Sequence, residues 1–399
     1  MHYQRGVLRV ALVASSLVQA GAEKQFVYTA RALGEAGVDA RVFHLGRGGY
    51  YERILREASV AIHRIDCPGR PFSILFRLIR AFQQFRPHIV VASQFGDIIH
   101  AALAGRLLRA VVVGGVRSNG LLDLTMHGRR SRMMLRLPDL LVANSECARR
   151  NLISHGVNPR KIHVLGNVID LQEFDQRSLR PVSIPFGPSR TVAAAVGRID
   201  RNKRFDRLVE SLGRTRKFAP ALAGLIIGRD LGERSDLTAQ ANVLGVLPDH
   251  LAFMGASDHV PAILARVHML VVTSDSEGFP NVLLEAMAAR LPVITTPAGD
   301  ASAIVRRAGA GYVVNFDNVS GMAEFMIRLA ESPPLRAELG QCGRKHVERE
   351  HDFKSFMGRL LAAYQRAATG RRLSWPTTDS DTRSAQTSEK RSIPAASAV

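Results

Sequence analysis

Short apolar runs recur along the first part of the chain, each followed by a stretch whose apolar residues return every three or four positions. Leu8–Ala14, Val38–Leu45, His88–Ala92, Ala110–Gly114, Leu140–Asn144 and Ile162–Leu165 have the length and β-branched content of buried strands. Glu23–Glu35 and Ser73–Phe85 carry the helical period between them. The alternation resumes with Val192–Val196, Leu225–Gly228, Leu251–Met254, Met269–Thr273, Pro292–Thr295 and Tyr312–Val314. Apolar strands separated by amphipathic helices predict parallel sheets covered on both faces, an α/β, doubly wound architecture.

At 399 residues the chain can fill two cores. The expected division is a first domain at 1–180 and a second at 191–351. Between them, 181–190 holds Pro181, Pro185, Gly187 and Pro188 and reads as a linker. Residues 370–399 are rich in Ser, Thr, Arg and Pro, lack a core pattern, and are expected to be disordered. Arg5, Arg9 and the run Val10–Ala20 imitate a secretory signal. Ser15, Ser16 and Gln19 interrupt that run, and the same residues read as a first strand, a loop and a helix.

Composition narrows the class. A hydrophobic content of 46% with 22% charged residues is that of a soluble globular protein, and no run reaches the length of a membrane span. Cys67, Cys147 and Cys342 are isolated, which fits a reducing cytoplasm and gives no zinc pattern. The net charge of +19 is uneven: residues 1–180 carry 26 Lys and Arg against 13 Asp and Glu. Such a surface attracts anionic lipid, lipid-linked pyrophosphate or nucleic acid. With only 6% aromatics and no basic–aromatic interleave, a nucleic-acid partner is not expected.

Candidate chemistry concentrates in Ser274-Asp-Ser-Glu-Gly-Phe-Pro-Asn-Val-Leu-Leu-Glu285. An apolar strand leads in, Gly278 and Pro280 shape a tight loop, and a helix-like run, Asn281–Arg290, leads out. Free N–H groups at the helix start favour an anion, usually a phosphate. Glu285, one turn in, is placed to accept hydrogen bonds from hydroxyls of the same ligand, so the pattern reads as a nucleotide-sugar site. In Val196-Gly-Arg-Ile-Asp-Arg-Asn-Lys203, Arg198 and Lys203 follow a strand end, where an α/β sheet binds ligands. They suit a diphosphate, although a basic surface turn has the same composition. As a surface-loop cation, Lys203 is expected to have little packing to lose.

These segments resemble the large family-four retaining glycosyltransferases, and the resemblance extends over most of the chain. It implies the GT-B fold, two Rossmann-like domains facing across a cleft, with 352–369 crossing back to the first domain. It implies that Arg198 and Lys203 hold the donor diphosphate with the backbone at Gly278, Phe279, Pro280, Asn281 and Val282. By the same resemblance Glu285 binds the ribose, Glu277 positions the donor sugar, and Gly21 opens the first helix near the substrate. Ser145, Asn167 and Asp170 look architectural. The chain departs from the family at Ala20, Arg290 and Asp300, each where a glycine is usual. It also lacks the histidine common near Arg117-Ser-Asn119, His127 being nearby but in a basic helical context. The sole Asp-x-Asp, Asp379-Ser-Asp381, lies in the tail, so neither metal nor cofactor is expected. The expected reaction is sugar transfer from a nucleotide-diphosphate sugar to a saccharide or lipid-linked acceptor. Two basic segments, 73–82 and 128–136, point to peripheral docking on an anionic membrane from the cytoplasmic side. The Leu–Phe stripe of the first also fits core packing. A catalytically silent sugar-nucleotide scaffold is the alternative function.

Overall fold

The computed structural model describes residues 7–46, 48–65, 71–121, 131 and 133–376. Cys67, His127, residues 128–130 and 132 of the second basic segment, and the tail from 377 onward lie outside them.

Seven strands form the first sheet: β1 (Arg9–Ala14), β2 (Asp39–His44), β3 (Ala61–Arg64), β4 (Ile89–Ala92), β5 (Val111–Val116), β6 (Leu140–Ala143) and β7 (Ile162–Val164). Their order is β3-β2-β1-β4-β5-β6-β7. Six of these match the apolar runs. The seventh, β3, is an edge strand whose residues Ala61, His63 and Arg64 are exposed, so it carries no apolar run to detect. The second sheet comprises β8 (Thr191–Val196), β9 (Leu222–Ile227), β10 (Leu251–Gly255), β11 (Met269–Val272), β12 (Val293–Thr295) and β13 (Gly311–Val313), ordered β10-β9-β8-β11-β12-β13.

The chain forms two compact units. One comprises Met1–Gly115, Arg132–Val142 and Met357–Val399, the other Val116–Ser131 and Ala143–Phe356. The Pro-rich stretch 181–190 lies inside the second unit, where Val182, Ile184 and Phe186 pack against its core. Apolar residues among the prolines, rather than a flexible spacer, account for that.

Within the second unit the strand period of two is visible in the packing. Val192, Ala194, Leu270 and Val272 join one apolar cluster, with Leu283 and Met287 of the helix Asn281–Ala288. Ala193, Ala195, Met269 and Val271 join another, with Leu208 and Leu212 of the helix Phe205–Thr215. Both sheet faces are therefore buried, as a parallel sheet requires. The chain leaves β8 toward β9 and leaves β11 toward β12, on opposite sides. The adjacent pair β8–β11 is thus the point where strand order reverses, the place at which open α/β sheets bind ligands.

After the helix Asn281–Ala288 the chain turns at Arg290, whose φ of 57° lies in the left-handed region. That conformation costs a side-chain-bearing residue about 1–2 kcal/mol, which explains the glycine usual in relatives. A Cβ built on Gly340, in the helix Pro333–Glu350, would sit 2.0 Å from the Arg290 carbonyl oxygen. Opposite outcomes are expected from two substitutions at this contact. Arg290→Gly should raise stability by about 1 kcal/mol. Gly340→Ala, normally favourable inside a helix, should instead lower it by about 1–3 kcal/mol because the backbones must separate. Urea unfolding of the two variants checks both signs.

Candidate functional site

β8 and β11 pair in parallel, Met269 beside Ala193 and Leu270 beside Ala194. The loops after the two strands therefore emerge side by side. After β8, Asp200 organises the turn: one carboxylate oxygen accepts the Lys203 N–H at 3.1 Å and the other accepts Arg198 Nε at 3.1 Å. Gly197 leaves room for the lysine stem, since a Cβ there would lie 2.9 Å from Lys203 Cε. The loop after β11 is tied to this turn by backbone groups. Asn202 donates its side-chain amide to the Ser276 carbonyl, and its own carbonyl accepts the Asp275 N–H, both at 2.9 Å. The Thr273 hydroxyl donates to the Lys203 carbonyl at 2.6 Å.

These ties bring Lys203 and Glu277 together. Lys203 Nζ donates to Glu277 Oε1 at 2.6 Å, and the Ser274 hydroxyl donates to the same oxygen at 2.8 Å. The two charged side chains are only 17% and 14% exposed. Lys203 is thus not the solvated surface-loop cation expected from sequence: its backbone, stem and charge are all engaged. A buried pair such as this loses far more when one partner is removed than the intact pair contributes.

Gly278 follows directly, and its lack of a side chain is required. A Cβ would lie 2.7 Å from the Ser118 carbonyl oxygen and 3.0 Å from Asn144 Oδ1. Phe279 is buried with its ring edge-on to His351, at 5.3 Å between centroids. Pro280, in extended conformation, precedes the helix Asn281–Ala288. Asn167 donates to the Phe279 carbonyl at 3.1 Å and to the Asn281 side chain at 2.8 Å, fixing the entry to that helix. Val282 points into the core, and Glu285 lies half-buried one turn in. Arg198 is 60% exposed and is held by Asp200 rather than by the Lys203–Glu277 pair. Ser145 and Asp170 cap the helices Glu146–Ser154 and Leu171–Ser178 through their side chains.

Asp300 acquires a definite role. Its carboxylate accepts the N–H groups of Glu146 and Cys147 at 2.7 and 2.9 Å, at the start of the helix Glu146–Ser154. Its own N–H donates to the Gly278 carbonyl at 3.1 Å. A glycine could not make the side-chain contacts.

Gly21 lies in the other unit, as the first residue of the helix Gly21–Glu35 after β1. Near it the structure shows acids that sequence reading did not single out. Glu23 and Asp97 are both buried. Gln94 donates to Glu23 at 3.1 Å, and Asp97 accepts the Ser15 and Gln94 N–H groups at 3.0 and 3.3 Å. Burial pushes the Asp97 carboxyl up to about 6, the Ser15 and Gln94 hydrogen bonds pull it back, and the Glu23 charge raises it further. Nothing local in the sequence marks these residues. They meet because β1 and β4 are neighbours in the sheet.

The family of glycosyl transferases group 1 matches residues 180–346, and glycosyltransferase family 4 matches residues 20–173. The chain belongs to the group 1, family-4-like glycosyltransferases. Among curated proteins, this group 1 chain is similar to a D-inositol 3-phosphate glycosyltransferase of Gordonia bronchialis. Identity is 29% over 244 residues, covering 57% of this chain and 52% of that protein. It is also similar to the capsular polysaccharide biosynthesis glycosyltransferase CapM of Staphylococcus aureus, 25% identical over 304 residues, 73% of this chain and 80% of CapM. The chain spans about half the length of the inositol-phosphate relatives it matches. Among solved structures, Anabaena HepE in complex with UDP and glucose superposes with a TM-score of 0.76 at 17% identity, covering 90% of this chain and 99% of that one. The shared fold is GT-B, two Rossmann-like domains built on parallel sheets.

One measurement checks each unit. A double-mutant cycle of Lys203→Ala and Glu277→Gln, read by chemical unfolding, should give a coupling of about 1–3 kcal/mol. Additive effects would show the pair to be incidental. In the first unit, Asp97 binds its proton more tightly folded than unfolded, so its protonation stabilises the fold. That stabilisation is complete below pH of about 4 and is lost as pH rises through about 6, on the order of 3 kcal/mol in total. Asp97→Asn should remove this slope between pH 4 and 6; an unchanged slope would assign it elsewhere.

Proposed function

We propose that this chain is a retaining, metal-independent glycosyltransferase of the hexosyl type that moves a sugar from a nucleotide-diphosphate sugar to an acceptor hydroxyl. The observation that carries the reading is the Lys203–Glu277 contact at the switch point between β8 and β11, next to the start of the helix Asn281–Ala288. One ammonium there can serve two masters in sequence. With the site empty it neutralises Glu277; with donor bound it faces the diphosphate, leaving Glu277 to accept hydrogen bonds from sugar hydroxyls. Arg198, exposed and tethered by Asp200, supplies a second cation. Backbone N–H groups from Gly278 to Val282 add fixed dipoles, and Glu285 takes the ribose hydroxyls.

In the transfer, the bond from the anomeric carbon to the phosphate oxygen breaks and its electron pair leaves with the diphosphate. The acceptor oxygen bonds to the same face of that carbon, and its proton passes to the departing phosphate oxygen. This front-face path needs no protein nucleophile. Positive charge developed around the leaving group by fixed side chains is the largest contribution such a site can make.

The acceptor we infer is a saccharide or lipid-linked saccharide of cell-surface polysaccharide assembly, with the chain docked on the cytoplasmic face of an anionic membrane. Its support is the helix Pro71–Phe85, where Phe72 and Phe76 are 87% and 67% exposed, one turn apart, with Arg77 and Arg80 also exposed. Leu78, Phe82 and Phe85 of the same helix are buried, so its apolar residues divide between core and surface. Among the described residues, no helix is long and apolar enough to cross a membrane.

HepE was solved with UDP and with UDP-glucose, so UDP sugars are the first donors to test. A ligand at a hundred times its Kd raises folded-state stability by about 2.7 kcal/mol, a readily measured rise in melting temperature. One nucleotide sugar should give that rise and support transfer, with turnover unchanged in EDTA and cut about a hundredfold or more by Lys203→Ala. Stabilisation by a nucleotide sugar without donor hydrolysis or transfer would favour a silent scaffold. Activity lost in EDTA and restored by manganese would overturn the electrostatic assignment.

A further inference from the structure

The first unit contains a cavity of about 840 Å³ that belongs to neither the Gly21 region nor the second unit. Its walls come from the start of β1, the turns before β4 and β5, and the segment after the helix Phe356–Ala367. Those are the amino-terminal ends of the strands, opposite the end from which the Gly21 loop emerges. Arg9, Arg86, Arg109, Arg371 and Arg372 line it together with His88, and no acidic side chain does.

Three features distinguish this from a scatter of surface arginines. Arg9 is fixed in place: its Nε donates to the Arg86 carbonyl at 2.8 Å. Arg86 and Arg109 follow the helices Pro71–Phe85 and Ile98–Leu107 with φ of 52° and 56°, a conformation in which glycine would be less strained. Arg371 donates to the Arg109 carbonyl, which holds the C-terminal segment against the cavity.

The His88 ring adds a polar surface to the same wall. The Arg9 backbone N–H donates to its Nδ1 at 3.1 Å. Burial and the Arg9 charge hold the imidazole below its usual pKa, toward the neutral form, in which only one of Nδ1 and Nε2 can accept. Arg9 Nη2 lies 3.0 Å from Nε2. The two Arg9 groups therefore bring one N–H more than a neutral ring can accept.

We propose that this cavity is a binding site for a phosphate-bearing anion, separate from the donor site. Its volume exceeds one phosphate and suits a pyrophosphate or a phosphorylated headgroup. Guanidinium forks match phosphate oxygens in pairs, and Arg9 supplies one such fork beside His88.

The test uses the full chain and the double substitution Arg86→Gly, Arg109→Gly. Glycine keeps the left-handed turns and removes both guanidinium groups, so the melting temperature should not fall. Calorimetric titration with inorganic pyrophosphate at low salt should show saturable binding weakened at least tenfold in the variant. Binding at Lys203 persists in both proteins and cancels in the comparison. A second arm measures cosedimentation with vesicles of phosphatidic acid in phosphatidylcholine, against phosphatidylcholine alone. Loss confined to the pyrophosphate arm identifies a soluble phosphate; loss in the vesicle arm identifies a headgroup. Equal binding by native and variant chains in both arms, or no binding by the native chain in either, overturns the proposal.

Discussion

An ammonium and a carboxylate 2.6 Å apart, both largely removed from water, set the terms for the second unit. Neither charge could be held there alone, because desolvating an isolated ion costs several kcal/mol. The surrounding architecture can be understood as what keeps the two within reach. β8 and β11 must be neighbours, Asp200 must close the turn that presents Lys203, and Gly278 must let the backbone pass beneath Ser118 and Asn144. The site is a property of strand order before it is a property of any side chain.

That dependence explains what could be read from the sequence. Six strands of each sheet were legible because a buried parallel strand leaves an unbroken apolar run, as Val192–Val196 does. β3 was not, because an exposed edge strand leaves none. Gly278, Pro280 and the helix after them were legible because a tight turn has few compatible residues. Lys203 and Glu277 were each recognisable from their local setting, but their pairing was not. They are 74 positions apart, and only the β8–β11 adjacency joins them. Asp200, Asn202 and Ser276 act through ordinary hydrogen bonds to backbone, a use that no spacing announces.

The same reasoning applies to the buried acids of the first unit. Asp97 stands in a stretch that is otherwise basic and gives no sign of its burial. Its elevated proton affinity arises from the β1–β4 neighbourhood and from the few backbone donors that reach it. Chemistry at the ends of parallel strands is assembled from segments far apart in sequence, so its electrostatics become visible only when the sheet is ordered.

The loop that carries Glu277 is bordered by a second acid, Asp300, and the two are balanced by different means. Glu277 is met by a full charge on a long stem, Asp300 by the partial charge at a helix start. Each of the two carboxylates is thus met from within the protein. Of the two balancing charges, only the ammonium is carried on rotatable bonds. The helix start cannot turn; the lysine can.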